Sequence, residues 1–138
     1  MDKLIKILEI ENIKLIFLDL PTYLKGIFVS SNKEKFIILS NTLPDNQHLR
    51  VTLAHELGHY FTCLGDCVSL SCTTHTCRFF ATLNEAKADR WAAKFLIPRE
   101  ELLECIRKEM PFYELVQYFQ VTPELLKIRV GMSDVSTY

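Results

Sequence analysis

The sequence predicts an α+β fold in which a small, mostly antiparallel three-stranded sheet packs on a bundle of helices. Three observations lead to this prediction: β-type apolar runs lie between residues 13 and 40, helical periodicity dominates the later part, and no repeat or linker-like tract interrupts the 138 residues. A chain of this length can bury about two thirds of its surface in one core. We therefore expect a single domain over residues 1–138.

The N-terminal part is predicted to form one helix and then the sheet. Apolar spacing near the N-terminus favours a short helix over residues 1–12. Three runs rich in Ile, Phe and Val follow at residues 13–18, 26–30 and 35–40, separated by turn-forming residues. The last two runs are joined by a short polar loop, so we expect them to pair as a hairpin.

Helices are expected in most of the remaining chain. Leucines recur at spacings of three and four over residues 45–64, and Asp45 or Asn46 can cap the start of this helix. Pro98 closes a later helical pattern. Beyond the first of these helices we expect, in order, a cysteine-rich insert over residues 65–78, a helix over residues 82–97 and further short helices over residues 99–130.

Charge and cysteine content restrict the class of partner. Sixteen basic residues and seventeen acidic residues give a formal charge of -1. This balance indicates neither direct binding of nucleic acid nor binding to an anionic membrane. No apolar run approaches the roughly 18 to 20 residues of a spanning helix, and no signal peptide is recognised. Five cysteines cannot all pair within one chain, so a reducing, cytoplasmic compartment is expected.

The central motif is His55-Glu56-Leu57-Gly58-His59, inside the predicted helix over residues 45–64. Three such fixed residues arise by chance in a chain of this length about one to two per cent of the time. Residues four apart share a helix face, so both histidines can bind one ion, for which zinc is well suited. Glu56 lies about 100° round the helix, where it could take a proton from a water on the metal. Gly58 weakens a helix by about 1 kcal/mol, which indicates close packing there.

A catalytic zinc site needs a third protein ligand. Glu85 and Asp89 are four residues apart and therefore share a face of the helix predicted over residues 82–97. One carboxylate could bind the ion while the other accepts a proton from a ligand histidine. An alternative remains open for Glu85, because Thr82-Leu83-Asn84-Glu85 matches a capping box in which the glutamate only satisfies a backbone donor.

The two motifs together resemble the ImmA/IrrE family of zinc metallopeptidases. The second motif is Glu85-x-x-Ala88-Asp89-x-Trp91-Ala92-Ala93-x-Phe95-Leu96-Ile97-Pro98. The resemblance extends to the preceding sheet and the following helices, and it implies a zincin-like fold with a thermolysin-like site. In this family the equivalents of His55, His59 and Glu85 bind zinc. Glu56 would be the general base, and Asp89 would orient a ligand histidine. Lys87 and Trp91 depart from the commoner family pattern.

The same resemblance implies a function. Members of this family look like endopeptidases that cut helix-turn-helix repressors. By that resemblance we expect this protein to be a zinc-dependent endopeptidase that acts as an antirepressor of a mobile element or stress response, in a bacterial or phage-derived setting. The alternative is a non-catalytic, metal-stabilised module that binds and sequesters a regulator. An intact Glu56 argues against that alternative, because a purely structural site has no use for a base.

The cysteine-rich insert is not associated with this family. It carries Cys63, Cys67, Cys72, His75 and Cys77, four of which could hold a second, structural zinc. Alternatively the thiols are idle, or one thiolate reaches the catalytic ion and silences it.

Three further assignments complete the interpretation. Donors to the reaction oxyanion could come from Tyr60, Arg78 or Tyr113, among which the sequence does not choose. Residues 115–124 resemble the turn of a helix-turn-helix, but the chain is not basic, so two helices packed on the core are the better interpretation. His48 is interpreted as an ordinary surface residue.

Overall fold

The computed structural model describes the backbone of residues 1–31, 33–62 and 75–135, and the side chains of these residues except 75–82. Within these ranges the chain forms three strands and six helices, which confirms the predicted α+β class. In chain order they are α1 (Asp2–Ile10), β1 (Ile13–Leu18), β2 (Gly26–Ser30), β3 (Lys35–Ser40), α2 (Asn46–Thr62), α3 (His75–Leu96), α4 (Arg99–Arg107), α5 (Phe112–Phe119) and α6 (Pro123–Val130).

The sheet has the strand order β1-β3-β2. Strands β2 and β3 pair antiparallel, which confirms the predicted hairpin. The expectation of a mostly antiparallel sheet is corrected, because β1 pairs with β3 in parallel. The chain leaves β1, forms β2 at the far edge and returns along β3 between them. Apolar runs indicate where strands form but not the order in which they pair, so the parallel pairing of β1 with β3 could not be predicted from the sequence pattern.

Helix α2 lies across one face of the sheet and forms the centre of the core. Its Leu53 and Leu57 are fully buried, together with Ile37 and Leu39 of β3. Helix α3 covers the other side of α2 with three buried alanines, which are Ala88, Ala92 and Ala93. Small residues allow two helices to approach closely, so the motif helix is enclosed between the sheet and α3.

Both long helices differ at their ends from the predicted ranges. Helix α2 begins at Asn46, and the backbone N–H of His48 donates to the Asp45 carboxylate over 2.8 Å, as expected of a capping residue. Helix α3 begins at His75 instead of residue 82. Glu85 therefore lies in a helix interior, and the capping-box alternative for it is wrong. A Thr-x-x-Glu pattern marks a helix start only where the preceding residues leave the helix.

Helices α4, α5 and α6 lie within residues 99–130, where short helices were expected. Helix α6 packs against the end of α3. Arg129 of α6 is only 1% exposed, donates to the carbonyl of Ile97 over 2.8 Å and forms an ion pair with Asp134 at 2.9 Å. The Thr122 side chain caps α6 by accepting from the N–H of Leu125. These contacts fix α6 against the end of α3. None of the helices in the described ranges is long and apolar enough to cross a membrane.

Candidate metal centre and cleft

The two motif histidines present their Nε2 atoms to each other on one face of α2. The two Nε2 atoms are 3.1 Å apart, and the rings meet at an interplanar angle of 88°. His59 is 6% exposed and is among the most enclosed polar residues of the described chain. A spacing of four residues on a helix gives this overlap directly.

Glu85 of α3 completes the group from the opposite side. Its Oε2 lies 2.8 Å from Nε2 of His55, and its Oε1 lies 2.9 Å from Nε2 of His59. One donor atom from each of the three residues lies within 4.8 Å of the others, so the group could bind a metal ion. Ligand atoms around a tetrahedral zinc are about 3.3 Å apart when the bonds are about 2.0–2.1 Å. The observed spacing therefore fits a zinc ion with little movement of the side chains.

Asp89 contacts the opposite nitrogen of the His55 ring. Its Oδ1 lies 2.7 Å from Nδ1 of His55, an arrangement that fixes the tautomer and directs the Nε2 lone pair toward the metal position. Since His55 meets Asp89 while His59 meets Glu85, α2 and α3 run antiparallel. The spacing of four residues on α3 thus matches the spacing of four on α2.

The carboxylates make this group attractive to a cation. Burial alone would lower the pKa of His55, but hydrogen bonds to Asp89 and Glu85 outweigh it and raise that pKa to about 10. Hydrogen bonds from His55 and His59 hold the pKa of Glu85 well below its usual range. Without a metal the site therefore keeps a proton on His55, which a bound cation would have to displace.

Glu56 is not one of the three grouped donors; it lines the same cleft as they do, and its carboxylate lies beside the start of β2. Its side chain is nearly buried, and burial raises the pKa of its carboxyl group although the N–H of Phe28 donates to it. A Cβ atom at Gly26 would lie 3.0 Å from Oε1 of Glu56. The missing side chain of Gly26 therefore leaves room for the carboxylate between α2 and the sheet.

Gly58 explains how α3 comes close enough to complete the site. A Cβ atom at this position would lie 2.6 Å from the carbonyl oxygen and 2.9 Å from the Cα atom of Ala88. The two helices thus touch backbone to backbone between the Glu85 and Asp89 positions, as the glycine in the motif led us to expect. This contact sets the distance over which Glu85 reaches both histidines.

A cleft of about 490 Å³ opens above the ligand group. The floor is α2, one side is the segment that leads into β2, and the other side is α6. Its lining from these three parts is Tyr23, Leu24, Lys25, Gly26 and Ile27 before and in β2, His48, Val51 and Thr52 on α2, and Thr122, Glu124, Leu125 and Ile128 around α6.

Two parts of this cleft were not anticipated. His48 lines it instead of being an ordinary surface residue, and its Nδ1 lies 2.8 Å from the Asp45 carboxylate. The spacing of seven residues between His48 and His55 would have placed both on one helix face. The helix-turn-helix-like segment does pack on the core, as expected, but its second helix also forms a wall of the cleft.

The candidate oxyanion donors are placed as follows. The Tyr60 hydroxyl donates to Glu11 and accepts from Lys35, outside the cleft lining. Tyr113 is 68% exposed and bonds to Glu114. The Arg78 side chain is outside the described residues. Neither tyrosine therefore contacts the cleft in this structure.

The proposed second metal site lies outside the described part of the chain. This applies to Cys63, Cys67 and Cys72 entirely, and to the side chains of His75 and Cys77. The second zinc and the silencing thiolate remain predictions.

Comparison with known families agrees with the site geometry. The family model described as the IrrE N-terminal-like domain, Peptidase_M78, matches residues 8–130. This range contains both motifs and every residue of the cleft lining. A comparison with curated proteins gives no significant match. The chain therefore belongs to the IrrE N-terminal-like peptidase family.

Proposed function

We propose that this protein is a zinc-dependent endopeptidase whose substrate is another protein. The observation that supports this most strongly is the convergence of His55, His59 and Glu85 on one point, with Glu56 held separately beside it. A structural metal site would need the first three residues but not the fourth. Membership in a peptidase family supports the same conclusion.

The residues of the chain would divide the reaction as follows. Zinc bound by His55, His59 and Glu85 would supply a Lewis acid that polarises the scissile carbonyl and lowers the pKa of a water toward ~7. Glu56 accepts the proton of the attacking water and then donates it to the leaving amine. Because burial raises its pKa, Glu56 is a better proton acceptor than an exposed glutamate. Asp89 keeps the His55 ring in the binding orientation.

The edge of β2 is a suitable place for an extended substrate. The N–H of Ser40 donates to the carbonyl of Lys25 over 2.9 Å, so alternate residues from Lys25 onward bond to β3. The backbone groups of Gly26 and Phe28 are therefore directed to the other edge, on the side of Glu56. Because the Glu56 carboxylate already accepts from the N–H of Phe28, Gly26 is the residue whose backbone groups would pair with a substrate. A peptide that adds a strand there would pass its carbonyl groups over the metal centre.

The proposed substrate class follows from the family resemblance. We propose a helix-turn-helix repressor in the cytoplasm, so that its cleavage relieves repression of a mobile element or stress response. The protein would act as an antirepressor through this partner, without binding nucleic acid itself. A near-neutral charge of -1 supports the last point.

Replacement of Glu56 by Gln tests the proposed reaction. The amide keeps the size of the side chain but cannot accept the proton, so cleavage of candidate repressors should fall by about 10²- to 10⁴-fold. Zinc content should be unchanged, because Glu56 is outside the ligand group. The measurement is electrophoresis of repressor after incubation with wild type or variant, with and without a chelator, together with metal analysis.

Glu100→Gln on α4 is a matched control, since Glu100 is exposed and outside the cleft. Undiminished cleavage by the Glu56 variant would refute the role of the base. Binding of repressor without cleavage by the wild type, unchanged in the variant, would favour sequestration instead.

A further inference from the structure

The α6 side of the cleft combines an apolar surface with one carboxylate. Val51 of α2 and Leu125 and Ile128 of α6 line the same part of the cleft. Leu125 is buried, whereas Val51 and Ile128 are partly exposed. Since Arg129 anchors α6 to the carbonyl of Ile97, this apolar surface is held in a fixed position beside the metal centre.

Glu124 lies in the first turn of α6 and also lines the cleft. Its side chain is exposed, and it makes no hydrogen bond or ion pair with the described residues. The other cleft carboxylates differ: Glu85 and Asp89 bind the histidines, and Glu56 is buried. Glu124 is thus the carboxylate of the described lining that remains available to a substrate side chain.

We propose that this wall, formed by Val51, Leu125, Ile128 and Glu124, binds a lysine or arginine side chain of the substrate next to the scissile bond. Long basic side chains have an apolar stem and a cationic head, and these match the two parts of the wall. A carboxylate forms charge-assisted hydrogen bonds with either head group. This inference rests on the proposed peptidase function and specifies its substrate.

The remaining charged groups of the cleft are compatible with this selection. Lys25 comes from the segment before β2 and forms no ion pair with Glu124 among the described residues, and His48 is bonded to Asp45. An acidic substrate side chain at the α6 wall would meet Glu124 and be repelled, whereas a neutral aliphatic side chain would gain only the apolar contact. The proposal therefore requires discrimination between lysine and its uncharged analogue norleucine, which share the same stem.

The test uses a pooled peptide library in which one position is fixed in turn as Arg, Lys, norleucine or Glu. For the wild type we expect kcat/KM to be about tenfold higher with Arg or Lys than with norleucine, because the peptide partly shields the pair from water. Glu124→Gln should abolish this preference, so that within this variant kcat/KM for the Arg and Lys peptides falls to the value for the norleucine peptides. Glu124→Lys should favour the Glu peptides.

Two controls separate charge from shape. Glu100→Lys on α4 changes the net charge equally but lies outside the cleft lining, so it should keep the preference for basic residues. Ile128→Ala should weaken cleavage of the Arg, Lys and norleucine peptides alike, whereas Val130→Ala, at an exposed position on the same helix outside the cleft lining, should not. Equal rates with lysine and norleucine in the wild type would overturn the proposal.

Peptide binding to the Glu56→Gln variant gives a second measurement that does not depend on turnover. Fluorescence anisotropy should show the same order of affinity, with basic peptides bound more tightly than norleucine peptides. If the wild type cleaves none of the peptides but basic peptides still bind more tightly than norleucine peptides, the proposed peptidase function would be overturned, whereas the proposed binding of basic side chains by the wall would be supported. Absence of any charge preference in binding would overturn the wall, whether or not the peptides are cut.

Discussion

The two nitrogens of the His55 ring have different partners, and this division decides how the residue behaves. Nδ1 meets Asp89 at 2.7 Å, and Nε2 meets Glu85 at 2.8 Å. With a cation bound at Nε2, Asp89 would accept the proton of Nδ1 and keep the ring in place. Glu85 would exchange its histidine contacts for the cation. Sequence spacing could identify both carboxylates but not which of them binds the metal.

Asp89→Asn should therefore weaken zinc binding without removing a ligand. The amide preserves the shape but loses the charge that favours a proton on Nδ1, so we expect zinc affinity to fall by about 10- to 100-fold. Competition with a chromogenic chelator measures this change. Glu100→Gln serves as the control at an exposed position. An unchanged affinity would mean that Asp89 does not support the ligand.

The pKa of His55 predicts how the metal-free protein responds to pH. It rises from 6.5 to about 10 in the folded state, so the folded protein holds this proton more tightly than the unfolded chain. The resulting stability is fully present below about pH 6.5 and is lost as the pH rises toward 10. Urea unfolding at pH 6.5 and 9.5 with a chelator should show a falling free energy of unfolding.

His55→Gln should make that decline smaller, because it removes the group that titrates in this window. The lowered pKa of Glu85 affects stability in the acidic range instead. Its contribution to the free energy of unfolding is present above about pH 4.5 and is lost as the pH falls below that value. A decline between pH 6.5 and 9.5 of equal size in both proteins would contradict the assignment to His55.

At the scale of the elements, the contact between α2 and α3 matters most. Gly58→Ala would place a Cβ atom 2.6 Å from the Ala88 carbonyl oxygen, so the helices must separate. We expect a loss of about 1–3 kcal/mol in the free energy of unfolding, despite the better helix propensity of alanine. Zinc affinity should fall by about tenfold or more, since Glu85 moves with α3.

Gly131→Ala is the matched control for this substitution. Its added Cβ atom would lie 3.4 Å from the nearest atom, the carbonyl oxygen of Lys127, and the backbone there is right-handed. Its effect should stay within about 0.5 kcal/mol. If Gly58→Ala proved equally mild in both denaturant unfolding and zinc titration, close helix contact would not be what positions Glu85.

Local patterns were sufficient for most elements and insufficient for their boundaries and pairing. The apolar stripe and the Asp45 cap predicted α2, and β-branched runs predicted all three strands. The parallel partner of β1 depends on where the chain returns, which no local residue encodes. The start of α3 at His75 was missed because Thr82 and Asn84 are weak helix formers that a continuing helix can still contain.

At the scale of the whole molecule, the ligands come from two helices but the cleft comes from four elements. Motif spacing could predict the pair His55 and His59 because it fixes neighbours within a helix, and the family resemblance was needed to choose Glu85 as the third residue. The segment before β2 and helix α6 are far from the motif in sequence, and only tertiary packing brings Lys25 and Glu124 to the same cleft. Residues that form the walls of a site are therefore harder to predict than residues that bind its metal.

Because the proposed metal would join α2 to α3 in the cleft, its binding should be coupled to global stability. Zinc at a free concentration of 100 times its Kd should raise the free energy of unfolding by about 2.7 kcal/mol, and a chelator should reverse this. His59→Ala, which removes one of the three grouped donors, should abolish the response. A response that persists in this variant but disappears when Cys63, Cys67, Cys72 and Cys77 are replaced by serine would assign the stabilising zinc to the insert instead.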